Sequence, residues 1–184
     1  LERYHHDDQV YEHFTTVAKN TNIGILIHEQ KLESITAGYC LYPMTLLDRL
    51  ADIDNVIAIK EDSKQDVYSE LVIDTVKDRL NVIMSGRGKR QYIQFNPMGC
   101  HAYLVGVGSF APKVSLNFYN AYHAGDMTTA WEIINEIERP FIKTAKEYGW
   151  HPALKSAMYE MGLMSKGERP PLCELSQDQH NSLV

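Results

Sequence analysis

A chain of 184 residues with 24 acidic and 18 basic side chains, a net charge of −6 and 44% hydrophobic residues describes a globular protein and argues against nucleic acid as a partner. No apolar run approaches the ~18 residues that a membrane span needs. Cys40, Cys100 and Cys173 are odd in number and far apart, which suits neither a disulfide framework nor a zinc site and points to a reducing cytoplasm.

In chain order, His5-His6-Asp7-Asp8 has the residue types of a metal cluster, but adjacent positions project to different sides. Asp7 or Asp8 is expected instead to cap a helix over residues 11–20, and no metal is expected. Gly24-Ile25-Leu26-Ile27-His28 then reads as a strand, and so does Asn55-Val56-Ile57-Ala58-Ile59, which runs into Lys60-Glu61-Asp62. Both are short, continuous and β-branched, as a buried parallel strand requires. Residues 62–80 show helical spacing through Val67, Leu71, Ile73, Val76 and Leu80. Asn81-Val82-Ile83-Met84 is the next strand, ended by Ser85-Gly86-Arg87-Gly88. That glycine pair lacks the spacing and the Lys-Ser/Thr of a phosphate loop. A helix-like stretch through Tyr92 and Phe95 is broken by Asn96-Pro97 and Gly99, and a fourth strand is expected over residues 102–106. Four strand-then-helix units in a row predict a parallel sheet with right-handed crossovers.

In that setting Lys60 has two readings. At the C-terminal end of a parallel strand, the rim that carries the chemistry of a barrel, an amine against apolar walls is poorly solvated as an ammonium and can attack a carbonyl to form a Schiff base. Alternatively, the strand ends by letting a lysine snorkel to water.

The residues around Lys60 resemble a known family. Asn55-Val56-Ile57-Ala58-Ile59-Lys60-Glu61-Asp62 is similar to the Schiff-base lysine strand of the dihydrodipicolinate synthase and N-acetylneuraminate lyase family. Ser85-Gly86 resembles its Ser-Gly strand end, and Met98-Gly99-Cys100-His101-Ala102 with Ala111-Pro112 resembles its Gly-Gly-His-Gly segment and following Ala-Pro. Ala124-Gly125-Asp126, Met161-Gly162-Leu163 and Glu168-Arg169-Pro170-Pro171-Leu172 continue the likeness to the C-terminus. The resemblance implies an α/β fold, a TIM (β/α)8 barrel of which this chain supplies about the last four βα units plus a C-terminal helical extension. Residues 1–126 would be the barrel half and residues 127–184 the extension. A whole barrel needs about 250 residues, so the chain reads as the C-terminal portion of a longer protein; a natural half-barrel that dimerises is the alternative. Trp131, Ile134, Ile137 and Phe141 are expected on one helical face, which in this family often serves subunit contacts, giving a homo-oligomer, a dimer or tetramer.

The resemblance also implies a mechanism. Lys60 would attack the ketone of pyruvate or another 2-keto acid and form an iminium, with no cofactor. The family moves protons with a tyrosine at the end of the preceding strand, where this chain has His28. Histidine can transfer protons near neutral pH, and it can equally be a strand-end residue satisfied by a carbonyl. Dihydrodipicolinate synthases carry an arginine shortly after that tyrosine, whereas His28-Glu29-Gln30-Lys31-Leu32-Glu33 has none. The strand-end positions Gly86, Arg87 and Leu104 are assigned to substrate contact, with Arg87 suited to a second carboxylate on a keto sugar acid. The expected activity is therefore a Schiff-base lyase for aldol cleavage, condensation or dehydration of a 2-keto acid. Its rival is a barrel that has lost catalysis and serves as a binding or regulatory protein.

Overall fold

The computed structural model describes residues 6–30 and 41–183; His5, Lys31, Leu32, Glu33 and Cys40 lie outside the described residues. The chain divides into two compact units, residues 1–104 and residues 105–184.

In the first unit the elements alternate. Helix α1 (Asp7–Lys19) precedes β1 (Ile25–Gln30), and α2 (Met44–Ala51) leads to β2 (Val56–Asp62). Then come α3 (Asp66–Val76), β3 (Asn81–Met84), α4 (Lys89–Phe95), a 3-10 turn (Asn96–Met98) and β4 (Cys100–Tyr103). The strands lie in the order β1-β2-β3-β4, all neighbours parallel. Sequential order with right-handed crossovers puts the helices on one side of the sheet, the arrangement of half a (β/α)8 barrel. The helix-facing side is the core. Ile27, Ile59, Val82 and Met84 are fully buried there with Leu46, Leu47, Leu50, Ile73, Val76 and Phe95 of the helices, each apolar side chain contributing about 1.5 to 3 kcal/mol by leaving water. Because side chains alternate along a strand, the other face receives Leu26, His28, Ala58, Lys60, Asp62 and Ile83, aligned by the pairings Leu26 with Ala58, His28 with Lys60 and Lys60 with Ile83.

Several boundaries differ from the expectation. His6, not Asp7 or Asp8, takes the position before α1, without a side-chain cap; the two aspartates sit in the first turn, where the positive helix end attracts them. The β2 strand runs two residues beyond Lys60, and α3 starts only at Asp66, because Lys64 adopts a left-handed φ of 62° and turns the chain. Helix α2 was not expected, although Leu46, Leu47 and Leu50 form its buried side. The fourth strand lies at Cys100–Tyr103 instead of 102–106: His101 Nδ1 accepts the Val82 N–H at 3.2 Å beside a register shift, which draws the earlier residues into the sheet.

The second unit contains α5 (Val107–Phe110), α6 (Pro112–His123), α7 (Met127–Ile133), a π-helical segment (Ile134–Glu138), α8 (Arg139–Tyr148), α9 (Trp150–Glu160) and α10 (Gln177–Leu183). It begins earlier than the boundary expected at 126/127, because Val107 of α5 packs in one core with Phe141, Ala145, Ala153 and Ala157. Gly106 is required at its start: a Cβ there would meet the Trp150 ring at 2.5 Å. The helical face expected of Trp131, Ile134, Ile137 and Phe141 is split. Ile134 and Phe141 are buried while Trp131 and Ile137 are 37% exposed, since the π segment, next to Pro140 with its missing N–H, shifts the periodicity by about one residue. Among the described residues no helix is long and apolar enough to cross a membrane.

Candidate active site

Parallel pairing of β1 with β2 sets His28 opposite Lys60, on the sheet face that the helices leave open. Their side chains meet: Lys60 Nζ lies 3.1 Å from His28 Nε2. Asp62, two residues further along β2 and so on the same face, brings Oδ2 to 3.5 Å from His28 Nε2 and 3.7 Å from Lys60 Nζ. Exposure falls from His28 at 40% through Lys60 at 21% to Asp62 at 13%. At this distance an ammonium on Lys60 can donate to a His28 Nε2 lone pair, and an imidazolium on His28 can donate to a free Lys60 amine. The pair can thus share one proton, and a proton passed to His28 leaves a free amine, the form that attacks a carbonyl.

The opposite face of the same strands carries a second set of acids. Glu61 is fully buried and accepts the Ser63 N–H and the Ser69 hydroxyl, both at 2.7 Å. Glu29, 2% exposed, accepts the Tyr42 N–H at 2.7 Å, and its other oxygen lies 2.7 Å from the Tyr68 hydroxyl, which is also 2.8 Å from the Tyr42 carbonyl. Burial pushes the Glu29 carboxyl up to about 7 despite the hydrogen bonds from Tyr68 and Tyr42, with the nearby Glu61 adding to the rise. Burial and the same carboxylate hold the Tyr68 and Tyr42 phenols above their ordinary range. These groups tie the ends of β1 and β2 to α3 and to the start of α2, and so fix the backbone that carries His28 and Lys60.

The turn after β3 borders the site. Ser85 N–H donates to the Glu61 carbonyl at 3.0 Å. Gly86 is required where it stands, because a Cβ there would come 2.8 Å from Lys64 Cγ and 3.3 Å from Asp62 Oδ1. Arg87 turns to the neighbouring loop: Nη1 binds both oxygens of Asp66 at 2.8 and 3.0 Å, and Nη2 binds the Lys64 carbonyl. Leu104 follows β4, 49% exposed, its N–H donating to the Met84 carbonyl. Of the residues singled out in the sequence, Lys60 and His28 are brought together, Gly86 lines the turn beside them, and Arg87 is engaged elsewhere. Asp62 was missed. Reading residues 62–80 as one helix concealed that Lys60 and Asp62 are two apart on a strand, which was the available signal.

A sequence model of the Dihydrodipicolinate synthetase family matches residues 4–184, nearly the whole chain. The chain belongs to the dihydrodipicolinate synthetase family. Among its relatives in this family are a 4-hydroxy-tetrahydrodipicolinate synthase of Psychrobacter arcticus, 24% identical over 95% of this chain, and a probable 5-dehydro-4-deoxyglucarate dehydratase of Acinetobacter baumannii, 23% identical over 94%. The chain spans 56% of the length of each. The solved dihydrodipicolinate synthase of Bacteroides thetaiotaomicron superposes with a TM-score of 0.82 at 17% identity, over 98% of this chain and 60% of that one. That of Aquifex aeolicus superposes at 0.80 with 22% identity, over 96% and 58%. At such identities the likeness speaks for the fold, part of the TIM barrel expected from the sequence.

Proposed function

We propose that the protein is a Schiff-base lyase in which Lys60 is the nucleophile and His28 the proton-transfer partner. The observation that supports this reading is the 3.1 Å contact between Lys60 Nζ and His28 Nε2 on the open face of the sheet, the distance that proton transfer between a base and an amine requires. The amine attacks C2 of a 2-keto acid, the carbonyl oxygen takes up protons and leaves as water, and an iminium remains on Lys60. That cation withdraws electrons and stabilises a carbanion at C3, the common intermediate of aldol cleavage, condensation and dehydration.

The names of the relatives span a synthase and a sugar-acid dehydratase. The dehydratase side fits this chain better, because the sequence that follows β1, residues 31–42, holds no arginine for the second substrate of a synthase. Gly86 and Leu104 then border the keto acid. Arg87 would meet a distal carboxylate with the donors it does not spend on Asp66 and the Lys64 carbonyl. The exposed Trp131 and Ile137 support a subunit contact and hence a homo-oligomer, and the free Cys100 and Cys173 support a reducing cytoplasm.

The deciding experiment is to incubate the intact protein with pyruvate and borohydride and to map the mass change. An adduct on the peptide containing Lys60, lost in Lys60→Met, is the expected result. No adduct, or one that survives in Lys60→Met, would remove the lyase reading in favour of a barrel that binds without catalysing.

A further inference from the structure

Among the described residues, the Asp62 carboxylate pairs with His28 and Lys60 alone. Glu61, its neighbour, is saturated by Ser63 and Ser69, and Glu29 by Tyr42 and Tyr68. Asp62 is 13% exposed, and among the described residues its carboxylate faces only His28 and Lys60, at 3.5 and 3.7 Å. Both distances are too long for hydrogen bonds but short for charges in a partly desolvated place. A Cβ at Gly86 would come within 3.3 Å of the other Asp62 oxygen, a tight contact. A carboxylate drawn this far from water without a hydrogen-bond donor needs a compensating positive charge, and the Lys60 and His28 pair is where one exists.

We propose that Asp62 is the counterion of the cation that Lys60 and His28 share, facing the ammonium, the imidazolium and the iminium in turn. This rests on the Schiff-base reading above. In the resting pair the positive charge sits on Lys60. Transfer of that proton to His28 Nε2 frees the amine, and the imidazolium formed is as near to Asp62 as the ammonium was, so the transfer leaves no charge unpaired. The nitrogen lone pair then forms the N–C2 bond while the carbonyl π bond breaks, and one of the two protons on the nitrogen of this adduct passes to the alkoxide oxygen. The resulting hydroxyl departs as water, its oxygen protonated by His28, as the nitrogen lone pair closes the C=N bond. The sum converts a Lys60 ammonium and a ketone into an iminium and water, and His28 returns neutral. The positive charge is again on the Lys60 nitrogen, beside Asp62. The other charged groups near this face are Lys64, in the turn after β2, and Arg87, already held by Asp66; Glu29 and Glu61 lie on the reverse of the sheet.

The test measures the rate at which cyanoborohydride traps the pyruvate adduct, followed by intact mass from neutral to alkaline pH. Only the protonated imine is reduced, so the alkaline fall in rate reports how firmly the iminium holds its proton. An opposite charge at this distance favours the charged form, so Asp62→Asn and Asp62→Ser should move that fall to lower pH by about one to three units, whereas Asp62→Glu should keep it near the wild-type position. A profile in either folded, uncharged variant that superposes on wild type overturns the counterion role and leaves the Schiff base intact. The absence of any adduct in wild type overturns both. A purely structural aspartate would lower the melting temperature of these variants without moving the pH profile, and that result also counts against the proposal.

Discussion

The two faces of the β1 and β2 pair use the same chemistry to opposite ends. On the helix side, Glu29 and Glu61 are buried and each is met by two donors. On the open side, one residue away along each strand, His28, Lys60 and Asp62 are partly exposed and face one another. The first set satisfies its polar atoms and so holds backbone in place. The second leaves titratable groups facing one another in a partly exposed place, the arrangement of a candidate site. The difference shows that the alternation of a strand, more than residue type, decides whether a carboxylate serves the fold or the chemistry.

The comparison breaks most completely at Lys60. Lys60→Met should abolish adduct formation and turnover while the melting temperature, read by circular dichroism, stays within a few degrees of wild type, because the methionine keeps the stem and removes only the charge. A large loss of stability would mean that the lysine belongs with the structural face.

Breaking the other face should do the reverse. Glu61→Ala orphans the buried Ser63 N–H and leaves the Ser69 hydroxyl only the Gln65 carbonyl, 3.1 Å away. Denaturant unfolding should show a loss of roughly 1 to 3 kcal/mol, the cost of one buried unsatisfied donor. In whatever fraction remains folded, borohydride should still trap an adduct at Lys60. If the variant is as stable as wild type, Glu61 is not the brace described here.

Glu29 sharpens the contrast through pH. The Tyr68 hydroxyl has one hydrogen and two acceptors at hand, the Glu29 oxygen and the Tyr42 carbonyl. Burial outweighs the hydrogen bonds from Tyr68 and Tyr42 and pushes the Glu29 carboxyl up to about 7. The folded state then binds more protons than the unfolded state between the ordinary carboxyl value of 4.5 and about 7. Stability from this group is complete below that window, falls as pH rises through it and levels off above, a change of roughly 3 kcal/mol. Glu29→Gln reproduces the protonated form, so its unfolding free energy should lose this slope and exceed that of wild type at alkaline pH. An unchanged slope would place the titration on another group.

Much of this was legible in the sequence where one signal dominates. The β3 strand falls where its apolar run and following glycine put it, and the strand that carries Lys60 forms where expected because nothing competes with a continuous β-branched run. The misses occur where tertiary contacts override local pattern. Asp62 was absorbed into a helix because the left-handed turn at Lys64 has no glycine to announce it. His101 was excluded from β4 because a polar residue that caps a neighbouring strand's N–H looks like loop. The buried acids were invisible, since Tyr68 reaches Glu29 across 39 residues of chain.

Arg87 gives the smallest effect and tests how far the open face extends. Its contacts with Asp66 and Lys64 engage three of the five guanidinium N–H donors, which leaves two for a ligand. Arg87 and Asp66 are 40% and 36% exposed, so removing the pair should change stability by no more than about 1 kcal/mol. If the remaining donors meet a distal carboxylate, Arg87→Ala should leave pyruvate trapping nearly intact while kcat/KM for a dicarboxylic keto acid falls by the equivalent of about 1.5 to 3 kcal/mol. Arg87→Lys should recover only part, because an ammonium lacks the planar fork. Equal rates for wild type and Arg87→Ala across a panel of keto acids would confine Arg87 to latching the two turns, and the reactive face would then end at Gly86.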